Sequence, residues 1–192
     1  VTKGSVTTAT ATKSNGTATR TVTFNANGGT CSTASLNSTA TITYSCNGWY
    51  TTASGGTKRA SSGGSYTPGA SETVYAQWGS STGTYSAITL PSATKTNTSA
   101  TARTVTFDAT TNGGSCSTTS LNSTASISYT LNGWYTAATG GTLRGKGGAS
   151  YTPSAAETLY AQFGSTTGAY SSVTLPNATR ANTTASRVVT FN

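Results

Sequence analysis

The chain contains no histidine and no methionine, and only three of its 192 residues are acidic. Each shortage removes a class of function. Without histidine, no side chain has an ordinary pKa near neutrality to act as a general base. The carboxylates are Glu72, Asp108 and Glu157, and Glu72 and Glu157 hold equivalent places in two copies of one phrase. They are therefore not expected to form a catalytic pair. No nucleotide fingerprint or phosphate loop is present. An enzyme is not expected, nor is a cofactor. Three cysteines without histidine, and without a C-x-x-C spacing, make a poor metal site, so none is expected. No apolar run reaches the length of a membrane helix or a signal-peptide core, which predicts no membrane insertion within these residues. The missing methionine implies a processed chain or a fragment of a longer one.

Charged residues are also scarce, at 7% against about 25% in average soluble domains. Serine, threonine, alanine and glycine take their place. Disorder is the usual reading of such a low apolar content, but it goes with few aromatic and β-branched residues. Here ten tyrosines, three tryptophans and abundant threonine and valine point to β-sheet. The formal charge is +8, and only Lys58 and Arg59 of the basic residues are adjacent. That scatter reads as a solvated surface, or as attraction to an anionic surface polymer. Nucleic acid is not expected, because no clustered basic and aromatic strip exists.

The sequence repeats itself at a period of about 83 residues. "RTVTFNANGGTC" at Arg20 returns as "RTVTFDATTNGGSC" at Arg103, and "NGWYTTASGG" at Asn47 as "NGWYTAATGG" at Asn132. "GTYSAITLPSATKTN" at Gly83 matches "GAYSSVTLPNATRAN" at Gly168, and "SVTTATATKSN" at Ser5 echoes "AITLPSATKTN" at Ala87. The implied organisation is a connecting segment (1–20), a first module (21–79), a connecting segment (80–103), a second module (104–164), and a connecting segment with the first strand of a third copy (165–192). That last strand comprises Arg187, Val188, Val189, Thr190, Phe191 and Asn192. It is either the cut edge of a longer array or a strand given to a neighbouring chain.

Alternation predicts strands at Thr21–Phe24, Ala40–Tyr44, Thr73–Trp78 and Tyr85–Leu90, repeated in the second copy. One short helical turn is expected from Ser32, with a hydroxyl cap. The core anchors expected are Phe24, Tyr44, Trp49, Val74, Trp78 and their counterparts Phe107, Tyr129, Trp134, Leu159, Phe163. Trp49, Tyr50, Trp134 and Tyr135 have a second reading, as platforms on which a sugar ring stacks. Cys31 and Cys46 suggest a disulfide in the first module, since Leu131 replaces Cys46 in the second. Cys116 is then a buried thiol, an intermolecular link or a leftover. A self-made isopeptide bond at Glu72 or Glu157 is a further expectation, weakened by the replacement of Lys58 by Leu143. Sequons lie at Asn15, Asn37, Asn97, Asn122, Asn177 and Asn182, in a composition where chance matches are common.

"VTFNANGG … NGWYTTASGGTK … ETVYAQW" and "VTFDATTNGG … NGWYTAATGGTL … ETLYAQF" resemble the Listeria–Bacteroides repeat, the internalin B-repeat type, over about 21–78 and 104–163. The family usually has an "LP-x-x-TR-x-GY-x-F" phrase before "GWY"; this chain has "STATITYSCNGWY" there and "LPSATK" after the module. The resemblance implies a mainly β fold of tandem small β-grasp-like modules, joined here by strand-forming segments. It also implies an extracellular or cell-surface location in bacteria. The expected function is structural: a stalk, fibre or filament whose partners are copies of itself or flanking repeats. The alternative is an adhesive module binding surface glycan or an anionic cell-wall polymer.

Overall fold

Short polar turns divide the chain into sixteen strands, and the computed structural model, which describes residues 3–191, contains no helix among them. Up to the end of the first copy these are β1 (Val6–Thr7), β2 (Gly16–Asn25), β3 (Ser35–Tyr50), β4 (Lys58–Ala60), β5 (Ser65–Tyr66) and β6 (Tyr75–Thr82). There follow β7 (Ile88–Thr89), β8 (Thr98–Ser99), β9 (Arg103–Thr106), β10 (Ser115–Cys116) and β11 (Ser120–Ser123). The rest of the second copy and the segment after it supply β12 (Ser126–Tyr135), β13 (Leu143–Gly145), β14 (Ser150–Tyr151), β15 (Glu157–Thr167) and β16 (Ala178–Thr179). The fold is mainly β and built from tandem repeat modules, as the alternation and the repeats predict.

The expected helical turn after Ser32 does not form. Leu36, Ser38 and Ala40 turn inward while Asn37, Thr39 and Thr41 face solvent, a period of two that belongs to a strand. That stretch opens the sixteen-residue β3. Its first half pairs antiparallel with β2, and its second half pairs antiparallel with β6. The strand expected from Tyr85 to Leu90 shrinks to β7. Its upstream part is held differently: the Ser38 hydroxyl donates to the Ser86 carbonyl at 2.5 Å, and the Ser86 amide donates to the Thr39 carbonyl at 2.8 Å.

The decisive pairing joins the two copies. β15, the last strand of the second copy, lies parallel to β2, the first strand of the first copy. Glu157 faces Val22, Thr158 faces Thr23, Leu159 faces Phe24 and Tyr160 faces Asn25. One eight-stranded sheet therefore crosses from one copy into the other. The hydrophobic core follows it: Val22 and Phe24 from the first copy, Ile88, Leu90 and Ala93 from the connecting segment, Trp134, Leu159 and Ala161 from the second. Burying one such side chain stabilises by about 1.5–3 kcal/mol. Most of that gain is spent holding one copy to the next.

Of the anchors read from sequence, Phe24, Trp134 and Leu159 are buried, whereas Tyr44, Trp49, Val74, Trp78, Phe107, Tyr129 and Phe163 are half-buried. Phe107, one residue past β9, is the counterpart of Phe24 within β2, yet no tryptophan-bearing strand covers it among the described residues. Phe24→Ala should cost about 3–5 kcal/mol in urea unfolding, and Phe107→Ala less than half of that. Equal losses at the two positions would show that each copy closes its own core.

Candidate functional site

The repeated Gly-Trp-Tyr phrase builds two sockets of the same design. In each long strand an extra residue interrupts the ladder, between Cys46 and Gly48 in β3 and between Leu131 and Gly133 in β12. Such bulges re-aim the side chains that follow. Gly48 and Gly133 adopt φ of 129° and 148°, which L side chains rarely adopt. A Cβ at Gly48 would lie 2.5 Å from the Ala60 carbonyl oxygen, and one at Gly133 would lie 2.8 Å from that of Gly145. The glycines thus let the hairpin return strands β4 and β13 approach; the next residue is Trp134 in the core of the second socket and Trp49 beside a cavity in the first.

Trp134 is fully buried. Its indole Nε1 donates to the Pro91 carbonyl at 2.7 Å, so the buried polar edge has a partner. The Phe24 ring meets it edge-on, with centroids 4.9 Å apart and planes at 64°. Arg20 completes the joint, donating from Nη1 to the Pro153 carbonyl at 2.8 Å. Asn27 Nδ2 donates across the copies to the carbonyls of Ala138 and Ala161.

Trp49 has the same surroundings minus the first-copy strand. Its Nε1 donates to the Ala9 carbonyl at 2.9 Å, and Val6 and Thr7 pair with Tyr66 and Ser65 as Ile88 and Thr89 pair with Tyr151 and Ser150. Where Val22 and Phe24 fill the second socket, the first holds an open cavity of about 240 Å³, lined by Val6, Thr8, Ala9, Trp49, Tyr66 and Val74. Trp49 is half-exposed in consequence. Tyr50 and Tyr135 are half-buried and follow their tryptophans directly along the strand. Successive strand residues point to opposite faces, so each Trp–Tyr pair does not converge on one surface.

Glutamine, which sequence reading passed over, locks the loop after each socket. Gln77 Nε2 donates to the carbonyls of Thr52 and Gly55, and Gln162 Nε2 to those of Ala137 and Gly140. The signal was available, as both glutamines sit inside the repeated "YAQ" phrase.

Several basic residues hold equivalent places in the two copies, each with its own partner. Lys13 lies over the Tyr44 ring at 4.0 Å and its counterpart Lys95 over Tyr129 at 4.8 Å. Arg20 stacks on Tyr85 at 3.6 Å and Arg103 on Tyr170 at 3.9 Å. Arg59 pairs with Glu72 at 2.9 Å, and Arg144 with Glu157 at 3.1 Å. Both repeated glutamates are thus held by arginine rather than by lysine, and Tyr151 also donates to Glu157. Burial, then the hydrogen bond to Glu157, pushes the Tyr151 phenol up to about 12. Asp108 accepts from the hydroxyls and amides of Thr110 and Thr111, which hold its carboxyl well below the usual carboxylate range. No group of three or more His, Cys, Asp or Glu gathers among the described residues. No helix there is long and apolar enough to cross a membrane.

The expected Cys31–Cys46 disulfide is not formed; Cys31, Cys46 and Cys116 are free thiols, each half-buried. The cross-copy core explains why. Cys31 packs against the core around Trp134, where Leu131 also packs, whereas Cys46 faces Trp78 in its own copy. Cys31 therefore packs on the same core as Leu131, the counterpart of Cys46, while Cys46 pairs within its own copy's sheet. The thiols of Cys31 and Cys116 donate to the carbonyls of Thr33 and Thr118. Arg187 to Phe191 run outside any strand, with Val188, Val189 and Phe191 at 92%, 69% and 89% exposure. Asn192 lies outside the described residues.

The Listeria-Bacteroides repeat domain model matches the chain twice, at residues 21–77 and 104–162, more than half of its length. The chain belongs to this family. No curated protein and no solved structure matches it.

Two measurements check this geometry. Titration of thiols in the unfolded, unreduced chain should count three per molecule; a count of one would restore the disulfide. The Tyr151 contribution to stability should be constant between neutrality and pH 10, the ordinary tyrosine value, and be lost as pH rises from there through about 12, because the folded state holds the Tyr151 proton more tightly than the unfolded chain does. Tyr151→Phe should flatten that fall, and an unaltered slope in that variant would refute the assignment.

Proposed function

We propose that this chain is a structural repeat protein outside the cell, a length-building segment of a bacterial surface stalk, fibre or filament. The observation that carries the reading is the use of the repeated aromatic phrase as a joint. Phe24 of one copy closes on Trp134 of the next, so adding copies adds length with a fixed geometry at each junction. Quasi-one-dimensional arrays are held this way, each unit stabilised by its neighbour. A surface location is supported by the family, which is typically found in surface proteins.

The reading assigns no catalytic residue and no nucleic-acid partner. Its support is the occupation of the few charged groups: Glu72 and Glu157 by arginines, Asp108 by its own turn, and several cations by tyrosine rings. The surface left over is largely serine and threonine, a neutral hydrated coat.

The test pairs two experiments. Small-angle scattering of the chain and of a genetically doubled chain should show the maximum dimension growing in proportion to copy number. On a glycan array, neither should bind. Glycan binding that is lost in a folded Trp49→Ala variant, together with a compact doubled chain, would replace the scaffold with adhesion.

A further inference from the structure

The repeat predicts what the empty Trp49 socket lacks. Val6, Thr8, Ala9, Trp49, Tyr66 and Val74 are the counterparts of Ile88, Leu90, Pro91, Trp134, Tyr151 and Leu159. In the second socket the strand supplied from outside the copy is Arg20–Phe24, with Val22 and Phe24 both buried. The same residue pattern, arginine then valine two places on and phenylalanine two further, recurs at Arg187, Val189 and Phe191. There its apolar side chains are exposed and its backbone pairs with nothing among the described residues.

We infer that Arg187–Phe191 of one molecule inserts into the Trp49 socket of a second molecule of this chain, as a strand parallel to the Glu72–Tyr75 segment. This rests on the scaffold reading and gives it a joining mechanism. The register follows from the β15–β2 pair: Val189 opposite Glu72, Thr190 opposite Thr73, Phe191 opposite Val74. Phe191 then fills the cavity and meets the Trp49 edge as Phe24 meets Trp134. Arg187 donates to the Pro68 carbonyl as Arg20 does to that of Pro153. Backbone pairing gives the strand its affinity, and alternate side chains give it its register. Donor and acceptor are different surfaces, so the contact is heterologous and joins molecules head to tail.

β9 carries the same pattern, with Val105 at 38% exposure, and is the rival donor. One observation favours Arg187–Phe191, because the β9–β11 pair only repeats β2–β3 and leaves open the other edge of β9, the one by which β2 meets β15. The half of the molecule around β9 carries the segment through Ser171, bonded to Ser123 and Thr124. Its Val173 and Leu175 are the counterparts of Val6 and Thr8. Docking that half would force the two segments to compete for one place against Tyr66 and Trp49. The free strand enters with Val6–Ala9 left where they are.

The experiment uses the full chain with one block on each side. Phe191→Asp removes the donor at a side chain that packs on nothing, and Val74→Arg closes the acceptor. Light scattering and electron microscopy of wild type should show concentration-dependent head-to-tail chains. Each variant alone should remain monomeric, and an equimolar mixture should give dimers and nothing longer. Because Val74→Arg risks misfolding, a fluorescein-labelled peptide spanning Ala185–Asn192 supplies the second readout. It should bind the Phe191→Asp protein saturably, and at least tenfold more weakly when its own phenylalanine is replaced by alanine. Three results overturn the inference: a wild type that stays monomeric at all concentrations, a peptide that does not bind, or chains that persist in Phe191→Asp, which with loss in Val105→Asp would make β9 the donor. Persisting chains would remove the donated strand while leaving the scaffold reading in place; that reading falls only to glycan binding together with a compact doubled chain.

Discussion

The structure depends on one contact, the Phe24 ring set edge-on against the Trp134 indole. A module of this size, with so little apolar surface, cannot enclose a tryptophan by itself. It borrows the missing wall from the copy before it: two inward residues of β2 and three of the connecting segment. The parallel β15–β2 pair supplies the backbone hydrogen bonds that hold this wall in register. Remove the borrowed strand and what remains is the Trp49 socket, a formed hairpin with a hole in it. The two sockets are thus one design seen with and without its lid.

That arrangement accounts for features which look unrelated in isolation. The glycine of each Gly-Trp-Tyr phrase is needed because the return strand passes so close that a Cβ would meet its carbonyl oxygen. The cysteines fail to pair because Cys31 faces into the next copy's core and Cys46 into its own copy's sheet. The arginine at the start of each Val-Thr-Phe strand reaches a proline carbonyl at one joint and stacks on a tyrosine of the connecting segment. Six of the eleven cations come as three repeated pairs, Lys13 and Lys95, Arg20 and Arg103, Arg59 and Arg144, each received by a ring or a carboxylate at the same place in its copy. A protein with three acidic groups keeps two of them in arginine pairs that recur at the same positions, which leaves little charge free for other work.

Much of this was legible in the sequence at the level of elements. Period-two alternation located the cores of β2, β3, β6 and β12, and the duplicated phrases announced two equivalent modules. Three things were not legible, each for a physical reason. The stretch after Ser32 carries hydroxyls that suit a helix cap as well as a strand, and only pairing with β2 decides between them. The partner of a strand is not encoded in its own alternation, so nothing in Thr21–Phe24 says that its apolar face closes the following copy. The disulfide was inferred from a pairing of positions inside one module, and it failed because the spatial unit is offset from the sequence unit. For the same reason Trp49 and Trp134, identical in local sequence, differ in burial.

The central claim is that the core is shared between copies, and proton–proton Overhauser contacts on a sample labelled at phenylalanine and tryptophan test it most directly. The account predicts cross-peaks between the Phe24 ring and the Trp134 indole, and none between Phe24 and Trp49. Cross-peaks from Phe24 to Trp49, with those to Trp134 missing, would mean that each copy closes on itself and would contradict it.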